Sequence, residues 1–271
     1  MKDNGNINVF TPHQALQPYV QCYCYMGPGA IHDSLTSLSI YPVDNTQMSF
    51  VLEEYHQFRE IGVGEISSYP LCFVGLIDQG RVFDRFPKRF VQVIFKPCGA
   101  FKLFKIPQRY LTNQGTDMRL LFPETATLTE QLREVAQTPF KAIELLEAWL
   151  LKRLLLTAKN QVDRIAYACE LIQKDSGIIR IEELSRSIGM STTTLGDQFR
   201  EKVGFSPKTF SRIVRFNHIN SFIDSQHHTD WQELVYTYGF FDQNHFIKEF
   251  KRFYGCTPSE WHSRLFFNPT V

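Results

Sequence analysis

The sequence lacks any apolar run long enough to cross a membrane and carries almost no net charge. A membrane-spanning helix needs about 18 consecutive apolar residues, and no such run occurs. The segment Met1 to Thr11 is polar and has no signal-peptide core, so we expect a cytoplasmic protein. The formal net charge of +1 argues against a polycation that coats nucleic acid without discrimination.

Metal-binding patterns are also missing. No two cysteines are separated by two residues and no His-x-His pair occurs, so we predict no metal site and no cofactor. The six cysteines are spread along the chain, and only Cys22 and Cys24 are close. On a strand, this alternation would point both thiols to one face. We interpret the cysteines as small buried apolar residues in a reducing compartment.

The chain instead contains a region typical of β-structure, which extends to about Pro107. It is rich in aromatic and β-branched residues, with Gly and Pro at short intervals. Strands are predicted at Ser37–Tyr41, Met48–Leu52, Leu71–Ile77 and Phe90–Phe95. Their regular spacing favours a sandwich or a barrel over βαβ units.

From Pro123 to about Lys159 the apolar residues recur with a helical period. The longer of two stripes consists of Phe140, Ile143, Leu146, Leu150 and Leu154. Such a stripe is either intramolecular core or the seam of a dimer. With the β-rich region it defines a predicted first domain at residues 1–159, which ends in a linker near 158–162.

Residues 160–271 predict an all-α domain of about seven helices, so the chain as a whole is α+β. Two segments, Ile181–Val203 and Trp231–Tyr254, share one pattern: a short helix, a glycine-containing turn and a second helix, which Ser191 can cap in the first segment and Asp242 in the second. A helix-turn-helix needs this layout because its second helix must enter the DNA major groove. The alternative is a pair of ordinary helical hairpins.

The residues of these segments carry a resemblance to a known family. The stretch from Gly239 to Pro258 resembles the signature of the AraC family of transcription regulators. The same holds for Ile181 to Ser185, for Met190 and Ser191, and for a set that continues past the end of the first segment: Leu195, Phe199, Gly204, Ser206 and Pro207. The resemblance implies seven helices, two recognition helices in successive major grooves, and an N-terminal domain that senses an effector or dimerises. More loosely, Phe95 to Phe104 resembles sensor-like domains of such regulators, whose sugar-binding members use a cupin-like barrel.

The second predicted recognition helix spans residues 243–254. Its apolar arc consists of Phe246, Phe250, Phe253 and Tyr254, which leaves the polar residues on the other side. We predict that Gln243, Asn244, His245 and Lys248 face bases, because Asn suits adenine and Lys suits guanine. Lys251 and Arg252 are predicted to contact phosphates. The alternative is a solvated polar face.

The first predicted recognition helix, near residues 192–203, departs from the family. Thr193, Thr194 and Asp197 are predicted to face bases, although a basic or amide residue is common in the family where Gly196 and Asp197 stand. A carboxylate repels phosphates but can accept a hydrogen bond from cytosine N4. Phosphate contacts are predicted for the basic residues in and after this helix: Arg200, Lys202, Lys208, Arg212 and Arg215.

These observations predict a bacterial, sequence-specific regulator of transcription and not an enzyme. The expected partners are double-stranded DNA, RNA polymerase, a small-molecule effector and a second copy of the chain. The effector site is not identified by the sequence. Its candidates are aromatic residues that either line a pocket or form core: Phe50, Tyr55, Phe73, Phe83 and Phe95.

Two other functions stay open from the residues. A DNA-repair enzyme with an appended DNA-binding module would need a nucleophilic thiol, for which Cys98 is the candidate. An interaction protein that has lost DNA binding would fit Asp197 and the balanced charge of the C-terminal domain. That domain has 13 Lys and Arg residues against 13 Asp and Glu residues.

Overall fold

The computed structural model describes residues 7–31, 35–53, 57–63, 66–67, 71–157, 163–225 and 231–261. Strands occupy the N-terminal region up to Asp117, and helices dominate from Thr125 onward. The predicted α+β fold, β-rich first and helical afterwards, is confirmed. The predicted linker near 158–162 lies outside the described residues. In the described segments, no helix is both long and apolar enough to span a bilayer.

The described strands form two antiparallel sheets. The larger sheet has the order β1 (Ile7–Phe10), β2 (Val20–Met26), β9 (Phe90–Phe95), β4 (Thr46–Val51), β7 (Leu71–Val74) and β10 (Gly115–Asp117). The smaller sheet has the order β3 (Leu38–Ile40), β8 (Arg81–Arg85), β5 (Phe58–Glu60) and β6 (Ile66–Ser67). The four segments predicted as strands correspond to β3, β4, β7 and β9.

The larger sheet separates two environments, because successive side chains of a strand point to opposite faces. One face carries Tyr23, Phe50 and Phe95, which belong to a large apolar core. The opposite face is partly polar, since Ser49 lies across from Gln92 in the β4–β9 register. This second face looks onto the smaller sheet across a cavity. The arrangement is that of a sandwich.

Three helices cover the apolar face: α1 (Gly99–Phe104), α2 (Thr125–Glu134) and α3 (Pro139–Thr157). Ile143, Leu146 and Leu150 of α3 are buried in this core, as the intramolecular interpretation of the stripe requires. Phe140, at the start of the stripe, is 72% exposed.

The aromatic residues proposed for a pocket divide between the two faces of the larger sheet. Phe50, Phe73 and Phe95 are core residues, because they pack under the helices. Phe83 lines the cavity between the sheets. Tyr55 lies outside the described residues.

All six cysteines are free and buried, which agrees with their interpretation as small apolar residues. Cys22 and Cys24 share one face of β2 and pack together with Ile94. Across the described part of the chain, no cluster of three His, Cys, Asp or Glu side chains is placed to hold a metal ion.

The described residues from Asp163 onward form seven helices. They are α4 (Arg164–Lys174), α5 (Ile181–Ser187), α6 (Thr192–Lys202), α7 (Pro207–Ser225), α8 (Trp231–Thr237), α9 (Gln243–Tyr254) and α10 (Pro258–Trp261). The long helix α7 contributes to two cores. Phe210 packs with α4, α5 and α6, whereas Phe216 packs with α8, α9 and α10.

Side-chain caps fix where α6 and α9 begin. Ser191 Oγ accepts a hydrogen bond from the N–H of Thr194 at 3.1 Å, which starts α6. Asp242 Oδ1 accepts from the N–H of His245 at 2.7 Å, which starts α9. Both caps are those that the sequence predicts, because each satisfies an amide that the first turn leaves unpaired.

Candidate nucleic-acid interface

Two helix-turn-helix units are present, and we call α5–α6 the first unit and α8–α9 the second unit. Each turn passes through a glycine in the left-handed region, Gly189 at φ 64° and Gly239 at φ 66°. This conformation strains residues that have a Cβ atom, so glycine is suited to both turns. The first helix of each unit therefore ends in the same way.

In the second unit, α9 buries an aromatic arc and exposes its polar side. The buried residues are Phe246, Phe250, Phe253 and Tyr254. The exposed residues are those predicted to meet DNA: Gln243, Asn244, His245, Lys248, Lys251 and Arg252. Within the described residues, the side chains of Asn244, Lys248, Lys251 and Arg252 make no hydrogen bond or ion pair. Their donors and charges are therefore available to a ligand.

In the first unit, Thr193, Thr194 and Asp197 are exposed on α6, where base-facing residues were predicted. The cations of this helix differ from those of α9 because they already have partners. Arg200 Nη1 lies 3.1 Å from Asp197 Oδ1. Lys202 Nζ lies 3.1 Å from Asp163 Oδ1. The cations of the first unit are thus partly neutralised, by Asp197 within α6 and by Asp163 at the start of α4.

Two arginines of α7 that were predicted to contact phosphate are held within the domain. Arg212 Nη2 lies 2.5 Å from Glu249 Oε2, and its guanidinium stands over the ring of Phe253. Arg215 Nη2 donates to the carbonyl of Gly177 at 2.8 Å. Burial, together with the charge of Arg212, lowers the pKa of Arg215. No local sequence pattern joins these partners. By contrast, Lys208 at the start of α7 is exposed.

Asp163, which the sequence analysis did not single out, joins three parts of the molecule. It caps α4 by accepting from the N–H of Ile165 at 3.1 Å. It also binds Lys202 of α6 and, at 3.4 Å, Lys102 of α1 in the N-terminal domain. Burial acts to raise the pKa of Asp163, but the bond from Lys202 and the charge of Lys102 outweigh it and lower the pKa.

The N-terminal domain also inserts into the second unit. Tyr41, in the loop after β3, is buried in the core formed by α7, α8, α9 and α10. Its ring centroid lies 5.3 Å from that of Tyr254 and 4.8 Å from that of Trp261. The N–H of Gly80 donates to the carbonyl of Phe253, at the end of α9, at 2.8 Å.

Further contacts join the N-terminal domain to the first unit and to α4. Leu76 and Cys98 are buried in the same core as Phe199 of α6. Asp44 accepts a hydrogen bond from the Gln173 amide of α4 at 2.6 Å. Cys98 is only 4% exposed, which does not suit a nucleophile that must reach a substrate.

Comparisons with known proteins locate the family resemblance in this region. A family model described as a helix-turn-helix domain matches residues 184–264. None of the curated proteins matches the chain at a significant level. Among solved structures, ToxT from Vibrio cholerae O395 is 11% identical, over 94% of this chain and 95% of that chain, with a TM-score of 0.45. ToxT from Vibrio cholerae strain SCE256 with bound unsaturated fatty acid is 11% identical. The match covers 94% of this chain and 93% of that chain, with a TM-score of 0.42. The AraC-like transcriptional activator CuxR is 14% identical, over 74% of this chain and 73% of that chain, with a TM-score of 0.22.

At such low identities and TM-scores, the similarities to solved structures carry no argument about this chain. The family model does, because residues 184–264 contain both turns, the capped helices α6 and α9, and the Gly239–Pro258 stretch. Residues 184–264 of this chain therefore form a helix-turn-helix domain of the AraC type.

Proposed function

We propose that this chain is a sequence-specific regulator of transcription that places α6 and α9 in successive major grooves of double-stranded DNA. The observation that carries the proposal is the polar side of α9. Asn244, Lys248, Lys251 and Arg252 are exposed there, and no described residue engages their side chains. A merely solvated helix face gains nothing from four unpaired donors on one side, whereas a groove-reading helix needs them.

We assign each exposed polar residue to a base or to a phosphate from its position on the helix and its chemistry. Asn244 and Lys248 are one turn apart on α9, so we assign them to neighbouring base edges, together with Gln243 and His245. Lys208, Lys251 and Arg252 are assigned to phosphates. Thr193, Thr194 and Asp197 stay assigned to base contacts of the first unit.

We propose that the two units contribute unequally. Arg200, Lys202, Arg212 and Arg215 would each have to leave an internal partner to reach a phosphate. Exchanging one ion pair for another gains little free energy compared with the use of an unpaired cation. The second unit should therefore supply most of the affinity.

We further propose that the N-terminal domain controls DNA binding in response to an effector. Its contacts to α4, to the first unit and to the second unit support this, because a change in its structure would reach both recognition helices. RNA polymerase and a second copy of the chain complete the proposed partners. Because its DNA target lies there, we place the protein in the bacterial cytoplasm.

Titration of the full-length chain on a duplex selected from genomic fragments, and on a scrambled duplex, tests DNA binding. Lys248→Ala should weaken binding to the selected duplex roughly 5- to 150-fold, which corresponds to about 1–3 kcal/mol for a bidentate base contact. Lys174→Ala is the matched control, because Lys174 is exposed on α4 outside both units. If no genomic fragment is selected by the folded chain, the proposal is wrong and an interaction protein without DNA binding is favoured.

Control by the N-terminal domain has its own test. Asp44→Ala removes the bond to Gln173, whereas Glu144→Ala removes an equal charge from the exposed side of α3. We expect Asp44→Ala to change the affinity for the selected duplex by a factor of three or more, and Glu144→Ala to leave it unaltered. Equal affinities for wild type and both variants would contradict the coupling.

A further inference from the structure

The two sheets of the N-terminal domain enclose a cavity of about 90 Å³. The smaller sheet contributes apolar side chains to its wall, such as Leu38, Phe58 and Phe83. The larger sheet contributes Gln92 and Ser49, which lie opposite each other on β9 and β4. Among the described residues that line the cavity, none carries a charge.

A directed chain of amide hydrogen bonds runs along the polar wall. Gln47 Nε2 donates to Asn45 Oδ1 at 3.1 Å, which leaves Gln47 Oε1 as an acceptor. Gln92 Nε2 donates to that oxygen at 3.1 Å and to Ser49 Oγ at 3.0 Å. The NH₂ group of Gln92 is therefore used, and its carbonyl oxygen is the end of the chain.

The carbonyl oxygen of Gln92 has no described partner. Gln92 is only 8% exposed, and its Oε1 atom is buried without a hydrogen bond. Leaving a buried acceptor unpaired is unfavourable, and an apolar residue would suit this strand better if packing were its only role. An acceptor held in place by two donated bonds, at the wall of a cavity, is instead suited to a ligand.

We propose that this cavity binds an uncharged, largely apolar small molecule with one hydroxyl or N–H group, which donates a hydrogen bond to Gln92 Oε1. An anionic ligand would have to leave water without a described cation to pair with, which is costly. A ligand without a donor would leave the Gln92 carbonyl unpaired, and sites of this kind reject such analogues. The role of this ligand as an effector rests on the proposed function, whereas its binding does not.

Three single-ring probes separate these alternatives, since a cavity of roughly 150 Å³ holds benzene and this one is of the same order. Phenol has a donor, anisole has the ring and oxygen without a donor, and benzoate has a negative charge. With the full-length chain, we expect phenol to bind by calorimetry and to raise the melting temperature. Anisole should bind at least tenfold more weakly, and benzoate should not bind.

Gln92→Leu tests the assigned residue. It should reduce the preference for phenol over anisole to less than twofold, because the acceptor is lost while the apolar walls remain. Gln137→Leu is the matched control, since Gln137 is exposed between α2 and α3 and should keep the full preference. Should Gln92→Leu fail to fold, Val74→Phe, which fills the cavity from β7, should abolish binding of both ligands.

The wild-type probe series decides the proposal by itself. Equal binding of anisole and phenol, binding of benzoate, or no binding of any probe would overturn it. DNA affinity is measured on the same preparations without probe. A chain that binds phenol selectively but does not bind DNA would support the ligand site and refute the proposed function. A chain that binds DNA but does not bind phenol selectively would support the proposed function and refute the ligand site.

Discussion

The ring of Tyr41 lies 4.8 Å from the ring of Trp261, centroid to centroid, although one belongs to the N-terminal domain and the other to the last described helix. Tyr41 also lines the cavity between the sheets. The same side chain is buried in the core of the second unit. A single residue therefore both lines the proposed ligand site and packs against the helices that position α9.

Tyr41→Ala should destabilise the full-length chain by roughly 3–5 kcal/mol, because truncating a buried aromatic side chain leaves a cavity. Tyr41→Phe keeps the ring and should cost about 1 kcal/mol or less. Urea unfolding of wild type and both variants measures the difference. Equal stabilities for the alanine and phenylalanine variants would show that the ring is not packed as described.

Asp197→Ala should increase the affinity for random DNA, because it removes a like charge from beside the phosphates and releases Arg200 from its ion pair. If Arg200 then reaches a phosphate, the dependence of binding on salt should steepen by about one unit. Titrations at two salt concentrations measure both effects. Glu170→Ala, an exposed acid on α4, is the matched control.

Two other results of the Asp197→Ala titrations would have different interpretations. A fall in affinity for the selected duplex alone would indicate a contact with cytosine. A uniform fall on selected and random duplexes, with the fold intact, would show that Asp197 does not lie at the DNA surface. The double variant Asp197→Ala with Arg200→Ala should return the salt dependence to its wild-type value.

Asp163 should make the junction between the domains sensitive to acid. Its pKa is lowered in the folded chain, so its contribution to stability is complete above the ordinary value of about 3.9. That contribution is lost as the pH falls through the lowered value. Asp163→Asn keeps a capping side chain but loses the charge, and should cost roughly 1–3 kcal/mol at neutral pH.

The measurement for Asp163 is the free energy of unfolding of wild type and Asp163→Asn between pH 7 and pH 3. The difference in unfolding free energy between the two proteins should narrow as the pH falls below about 3.9. Protonation then neutralises the wild-type carboxylate, so that it resembles the uncharged Asn side chain. Asp163→Ala should cost more than Asp163→Asn at every pH, since the cap of α4 is also removed. A gap that widens in acid would contradict the assigned ion pairs.

Gly189→Ala should cost roughly 1–2 kcal/mol of stability through the backbone alone. The residue has a φ of 64°, and a Cβ atom there would meet nothing within 4 Å. Gly189→Asn should cost less, because Asn tolerates the left-handed region. Thermal unfolding measures the stability of both variants. Equal losses of stability for Gly189→Ala and Gly189→Asn would indicate a steric clash instead of backbone strain.

The sequence was most informative where the determining contacts are local. The bounds of α9 and the caps Ser191 and Asp242 follow from residues within one or two turns, so they could be predicted. The partners of Arg212 and Lys202 could not, since Glu249 and Asp163 lie far away along the chain. Long-range pairing depends on how the helices pack, which no short pattern encodes.

The cavity illustrates a second limit. The segment Phe90–Phe95 was predicted as a strand, but its one amide side chain gave no sign that it would face a cavity. That role depends on the register that sets Ser49 beside Gln92, and register is a property of the assembled sheet. Tyr41 was likewise part of a predicted strand, yet it lies just beyond β3 and packs in the other domain.

If both units bind DNA as proposed, the long helix α7 has a consequence for the operator. Its 19 residues run without a break through both cores of the C-terminal domain. The distance and the angle between the two units are therefore fixed. One extra base pair between the half-sites would turn one of them by roughly 35° about the duplex axis, at about ten base pairs a turn. The protein cannot follow that rotation. Tolerance for such spacers has to come from the duplex, and operators whose intervening steps twist easily should accept them best.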